Sequence, residues 1–123
     1  MDKKSHFSFA KRLKSFVYAL RGIGLLCRHE HNAWIHLFAT CCVLVAGVYF
    51  HLSTSEWVAV LFAIGLVLAA EAFNSAIEVL ANHVTSSYSK AIRNTKDLAA
   101  GAVLLTAITA LIIGLLIFIP KLL

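Results

Sequence analysis

"WVAVLFAIGLVLAAEAFNSAIEVLAN", Trp57 to Asn82, joins an uninterrupted apolar run to a segment carrying Glu71, Asn74, Ser75, Glu78 and Asn82. The run has the composition of a membrane interior, where an ionised side chain costs several kcal/mol. On a helix each residue advances about 100° and about 1.5 Å. The five polar residues then share an arc of roughly 100°, while Ala72, Phe73, Ala76, Ile77, Val79 and Leu80 occupy the remainder. Counted from Trp57 at one interface, Glu71 lies about 21 Å along the helix and Glu78 about 31 Å. The hydrocarbon core is about 30 Å thick. Glu71 is therefore expected inside the bilayer and Glu78 at its edge, giving the stripe a dry end and a wet end.

The rest of the chain agrees with a membrane setting. Of 123 residues, 60% are hydrophobic and 14% charged, and the mean hydropathy is +0.84. A water-soluble domain of this size does not have such a composition. Three segments reach the length of about 20 residues that a spanning helix needs: residues 33–52, 57–81 and 98–120. The expected architecture is all-α, a single domain of three transmembrane helices. No cleavable signal peptide is expected, because "MDKKSHFSFAKRLKSF" is polar and basic.

Charge predicts the orientation. Lys3, Lys4, Lys11, Arg12, Lys14, Arg21 and Arg28 precede the first span, and Lys90, Arg93 and Lys96 lie between the second and third, whereas the "STSE" connector has neither Lys nor Arg. The positive-inside rule puts the N-terminus and residues 83–97 in the cytoplasm and the C-terminus outside a bacterial inner membrane. The net charge of +5 fits this topology and anionic headgroups; nucleic acid is not expected as a partner. Residues 8–28 place Phe9, Leu13, Phe16, Val17, Leu20, Ile23 and Leu26 at helical spacing, an amphipathic helix suited to the membrane surface, with Gly22 and Gly24 loosening its end. "VTSSYSKAIRNTKD", residues 84–97, reads as a polar connecting loop. Cys27, Cys41 and Cys42 form no disulfide framework and read as small packing residues.

Two carboxylates on one intramembrane stripe point to function rather than to helix association alone. Glu30 before the first span, and Lys96 and Asp97 before the third, approach the end where Glu78 emerges. Together they would suit a hard cation and phosphates. A P-loop is absent, "GIG" at 22–24 lacks the third glycine of a dinucleotide fingerprint, and "HEH" at 29–31 lacks the spacing of H-E-x-x-H. His36, one turn inside the first span, is open to either a packing or a pocket role.

"EAFNSAIEVLAN" with "KDLAAGAVLL" fourteen residues later resembles the prokaryotic diacylglycerol kinase family, which includes the undecaprenol kinases. The likeness extends from the surface helix through the "EHNAWIH" entry to "FIPKLL". It implies a homotrimer with sites shared between subunits and phosphoryl transfer from ATP, with Mg2+, to a membrane lipid alcohol, diacylglycerol or undecaprenol. On this resemblance Glu71 is the catalytic base, and Glu30 and Glu78 hold the metal and ATP. Lys11, Tyr18, Asn74, Ser87, Tyr88, Ser89, Lys96 and Asp97 match positions at the nucleotide side of the site. Asn82 stands where many members carry aspartate. "NAWIH" is nearer the undecaprenol-kinase branch. A small transporter or proton relay using Glu71, or a non-catalytic scaffold, are the readings from other classes; inverted repeats or broken helices, which would favour a transporter, are not evident.

Overall fold

The computed structural model describes residues 8–29, 31–85 and 87–123. Four helices account for nearly all of them: α1 (Phe9–His29), α2 (His31–Tyr49), α3 (Thr54–Val84) and α4 (Lys90–Leu122). The last three are long and apolar enough to cross a membrane. Gly22 and Gly24 do not interrupt α1, which stays helical through His29.

The α3–α4 hairpin forms the body of the molecule, with α2 lying against α3 and α1 touching α2 and α3 only lightly. Two polar cross-links set the hairpin's register. At one end Lys121 Nζ stands 3.2 Å from Glu56 Oε1; at the other Lys96 Nζ donates to Asn82 Oδ1 at 2.5 Å. Between them lie 82 − 56 = 26 residues of α3 and 121 − 96 = 25 of α4. The helices therefore run side by side for about 38 Å.

Small side chains make this close approach possible. The buried residues are mainly Ala33, Gly47, Val60, Ala63, Val67, Ala81 and Ala99, as expected where van der Waals contact rather than water exclusion joins helices. Large apolar groups such as Phe38, Phe62, Phe73 and Leu105 point outward. So do Cys41 and Cys42, which are free thiols but do not pack inside the chain.

The α2–α3 turn is built by hydrogen bonding rather than by glycine flexibility. His51 adopts a left-handed conformation, with φ of 54°. Its N–H donates to Val48 O, and the Leu52 N–H donates to Gly47 O. This is the Schellman pattern for ending a helix, with histidine in the position glycine usually fills. Ser53 then caps α3: its hydroxyl accepts from Glu56 N, while Glu56 accepts from Ser53 N, a reciprocal capping box.

One expectation from the polar connector needs correction. Only residues 85–89 separate α3 from α4, because the helix begins at Lys90. Ser89 is the N-cap and accepts from Ile92 N at 3.4 Å. Thr95 turns its hydroxyl onto Ala91 O, and Arg93 pairs with Asp97 one turn on. The polar residues 90–97 extend the helix instead of looping.

Candidate functional site

Glu71 has 0% of its surface exposed and is the largest fully buried side chain described. It lies on the α3 face that also carries Val60, Ala63 and Val67. From α2, His36 Nε2 reaches to 3.5 Å from Glu71 Oε1. Sequence spacing left the role of His36 open; the structure places it beside the carboxylate. The signal available in the sequence was its polarity one turn inside an apolar span, but its partner depends on how α2 lies against α3.

Burial within the chain falls along the stripe. Glu71 and Asn74 are buried, Ser75 and Glu78 are half-buried, and Asn82 is exposed. Asn74 Oδ1 and Ser75 Oγ have no hydrogen-bond partner among the described residues. Such buried polar atoms are costly unless something satisfies them. Asn74 also borders a cavity of about 340 Å³ with Phe73, Ile77 and Ala99.

A larger cavity, about 440 Å³, opens between α2, α3 and α4. Ala39, Ala63, Val67, Ala110, Gly114 and Phe118 contribute to its apolar wall, and His36 is part of its lining. The Thr40 hydroxyl, also in the lining, donates to His36 O at 2.7 Å. His36 is thus the lining's other polar side chain, its Nε2 standing 3.5 Å from Glu71 Oε1.

At the opposite end of the stripe, Lys96 is brought to Asn82. Asp97 instead faces Arg93 at 3.8 Å, with both groups well exposed. Lys11, Tyr18, Ser87 and Tyr88 are exposed, and Ser89 serves as the α4 cap. Ser87 exchanges hydrogen bonds with Thr85 in the short connector. Glu30 lies outside the described residues. Glu78 makes no ion pair among the described residues, so its hard oxygens are available to a cation of the magnesium type. No three His, Cys, Asp or Glu side chains converge among the described residues.

Helices that can span a bilayer, with a buried carboxylate midway along one of them and a lysine and a second carboxylate toward the hairpin's end, define a membrane protein equipped to handle a polar group beside a lipid phase. Comparison with known proteins gives that class a family. The profile of the prokaryotic diacylglycerol kinases matches residues 17–118. The chain is 42% identical over 123 residues to the undecaprenol kinase of Bacillus subtilis, covering 99% of this chain and 100% of that protein. It is 36% identical over 112 residues to a diacylglycerol kinase of Synechocystis, covering 90% of this chain and 64% of the relative. The chain belongs to the prokaryotic diacylglycerol kinase family and is a multi-pass membrane lipid kinase.

Proposed function

We propose that the chain transfers the γ-phosphate of ATP to undecaprenol, with diacylglycerol as the second candidate acceptor. The observation that carries the reading is the complete burial of Glu71 on a stripe whose other end, at Glu78, Asn82 and Lys96, reaches an exposed surface. The full-length similarity to an undecaprenol kinase supports the choice of acceptor; the relative named diacylglycerol kinase keeps the second acceptor in view.

In this reading the lipid hydroxyl gives its proton to the Glu71 carboxylate. Its oxygen bonds to the γ-phosphorus as the bond to the bridging oxygen breaks and ADP leaves. Phosphoryl transfer needs positioning and charge neutralisation above all, and Lys96 is the cation assigned to the phosphates. Glu30 and Glu78 would hold Mg2+, which, when bound, neutralises phosphate charge. Lys11, Tyr18, Asn74, Ser87, Tyr88, Ser89 and Asp97 are assigned to the nucleotide side. The family resemblance implies a homotrimer that completes each site from two subunits. By the positive-inside rule the nucleotide end is assigned to the cytoplasm, with α1 assigned to that surface.

Phosphate transfer from radiolabelled ATP tests the reading, with purified protein offered undecaprenol and diacylglycerol separately in matched micelles. Magnesium-dependent labelling of undecaprenol at the higher kcat/KM is the expected result. Labelling of neither lipid overturns the kinase assignment.

A further inference from the structure

The cavity between α2, α3 and α4 has a shape and polarity that the kinase reading leaves unused. Its wall is hydrocarbon apart from His36 and Thr40, and the Thr40 hydroxyl is occupied by its own helix. Polarity is therefore concentrated at one end, where His36 meets Glu71. A volume of about 440 Å³ falls in the range of small-molecule sites, roughly 300–1,000 Å³. A ligand matching this pattern is a single hydrocarbon chain ending in a hydroxyl. A glycerol backbone with two ester groups would bring carbonyls to a wall that offers them no donors.

The direction also fits. From His36, the lining residue that contacts Glu71, the cavity follows Val67, Ala63 and Val60, away from the polar end of the stripe and into the apolar half of the span. The hairpin register places Gly114 opposite Ala63, about 12 Å along the helix from Glu71. Ala39, Ala63, Ala110 and Gly114 keep this lane open. A Cβ at Gly114 would meet nothing within 4 Å, so the space beside it is unfilled.

We propose that this cavity receives the acceptor's hydrocarbon chain nearest its hydroxyl, and that His36 positions that hydroxyl beside Glu71. The proposal rests on the lipid-kinase reading and adds to it a chain-binding site and a positioning residue. His36 and Glu71 hold the alcohol at the polar end while the first isoprene units occupy the lane toward Gly114.

Gly114→Leu tests the site, since a Cβ there meets nothing within 4 Å and the longer side chain extends into the lane. Full-length protein is assayed with MgATP and two acceptors, undecaprenol and a five-carbon prenol too short to reach Gly114. The variant should lower kcat/KM for undecaprenol by roughly tenfold, a loss of about 1.4 kcal/mol. Values for the short prenol and the KM for MgATP should stay within twofold of wild type. Equal effects on both prenols, or none, overturn the cavity assignment; so does an altered oligomer size by light scattering, which would mean that a second copy occupies the lane. For the wild-type protein, a prenol carrying a diazirine in its second isoprene unit should crosslink to residues 107–118. Labelling confined to other segments overturns the proposal even if Gly114→Leu does not fold. His36→Leu should reduce kcat for undecaprenol at least tenfold with KM for MgATP unchanged, and His36→Gln, which keeps a nitrogen donor, should recover most of it. Equal losses in the two variants rule out the positioning role. If the wild type phosphorylates neither prenol nor diacylglycerol, the kinase reading fails; phosphorylation with an unchanged Gly114→Leu profile removes only the cavity.

Discussion

Lys96 Nζ on α4 donates to Asn82 Oδ1 on α3 at 2.5 Å. The Asn82 amide thus holds the lysine assigned to the phosphates. A neutral acceptor anchors the ammonium without neutralising it, so its charge stays available to a nucleotide. An ionised acceptor would form an ion pair with the same lysine and would add a negative charge beside the triphosphate.

Asn82→Asp should therefore raise the KM for MgATP by roughly three- to tenfold, on the order of 1 kcal/mol, with little change in the KM for undecaprenol. Steady-state kinetics with each substrate varied in turn would measure both. A change confined to the lipid KM would mean that Asn82 lies at the acceptor side and that the stripe's polarity is reversed.

The turn after α2 makes two predictions about stability. A methyl group on Gly47 would fall 2.6 Å from Trp57 Cη2 and 3.1 Å from Leu52 Cδ1. Because Trp57 is rigid and Leu52 is buried, Gly47→Ala should destabilise the chain by about 1–3 kcal/mol. His51→Gly should have the opposite sign. The left-handed backbone at His51 costs a residue with a Cβ about 1–2 kcal/mol, and glycine's extra unfolded-state entropy returns only part of this. A gain of roughly 0.5–1 kcal/mol is expected. Thermal unfolding in detergent would show Tm falling for the first variant and rising for the second; a rise for Gly47→Ala would contradict the packing at Trp57.

How far these features could be read from the sequence depended on whether they were local. Helical spacing alone put Glu71 inside the span and Asn82 near its end, because rise and angle per residue vary little within a helix. The His36–Glu71 contact needed the packing of α2 on α3, and one helix's periodicity carries no information about its neighbour's rotation. Residues 84–97 differ from the loop their composition predicts for another reason. Their Ser and Thr residues suit loops, yet Ser89 caps a helix, Thr95 satisfies its hydroxyl on Ala91 O, and Arg93 and Asp97 pair at helical spacing. The same residue types serve either structure, and the register with α3 decides between them. Glu30 lies outside the described residues, so its meeting with Glu78 rests on the family resemblance.

Shared sites make a genetic prediction. If Glu30 comes from one subunit and Glu71 from another, mixing Glu30→Gln and Glu71→Gln chains creates some pockets that contain both native acids. In a random trimer, co-expressed and differently tagged chains should regain measurable activity, at least severalfold above either parent. Tandem affinity purification isolates the mixed oligomers for assay. Activity no higher than the parents in verified mixtures would place both acids in one chain's pocket.

The two carboxylates of α3 should separate by function as they do by burial. Glu71 is fully buried and is assigned to the proton of the lipid hydroxyl; Glu78 is half-buried farther along the stripe and is assigned to the metal. Glu71→Gln preserves size and hydrogen-bonding capacity but removes basicity, so MgATP binding should persist while kcat falls by roughly 10²-fold or more, the usual contribution of a positioned base. Glu78→Gln removes a charged oxygen donor. It should weaken MgATP binding, raise the magnesium concentration needed for half-maximal rate, and recover partly when magnesium is increased. Calorimetry with a non-hydrolysable ATP analogue and lipid phosphorylation, measured on both variants, distinguish the roles. Loss of nucleotide binding in Glu71→Gln with retention in Glu78→Gln would exchange the assignments, and normal turnover in Glu71→Gln would remove the general base from the mechanism.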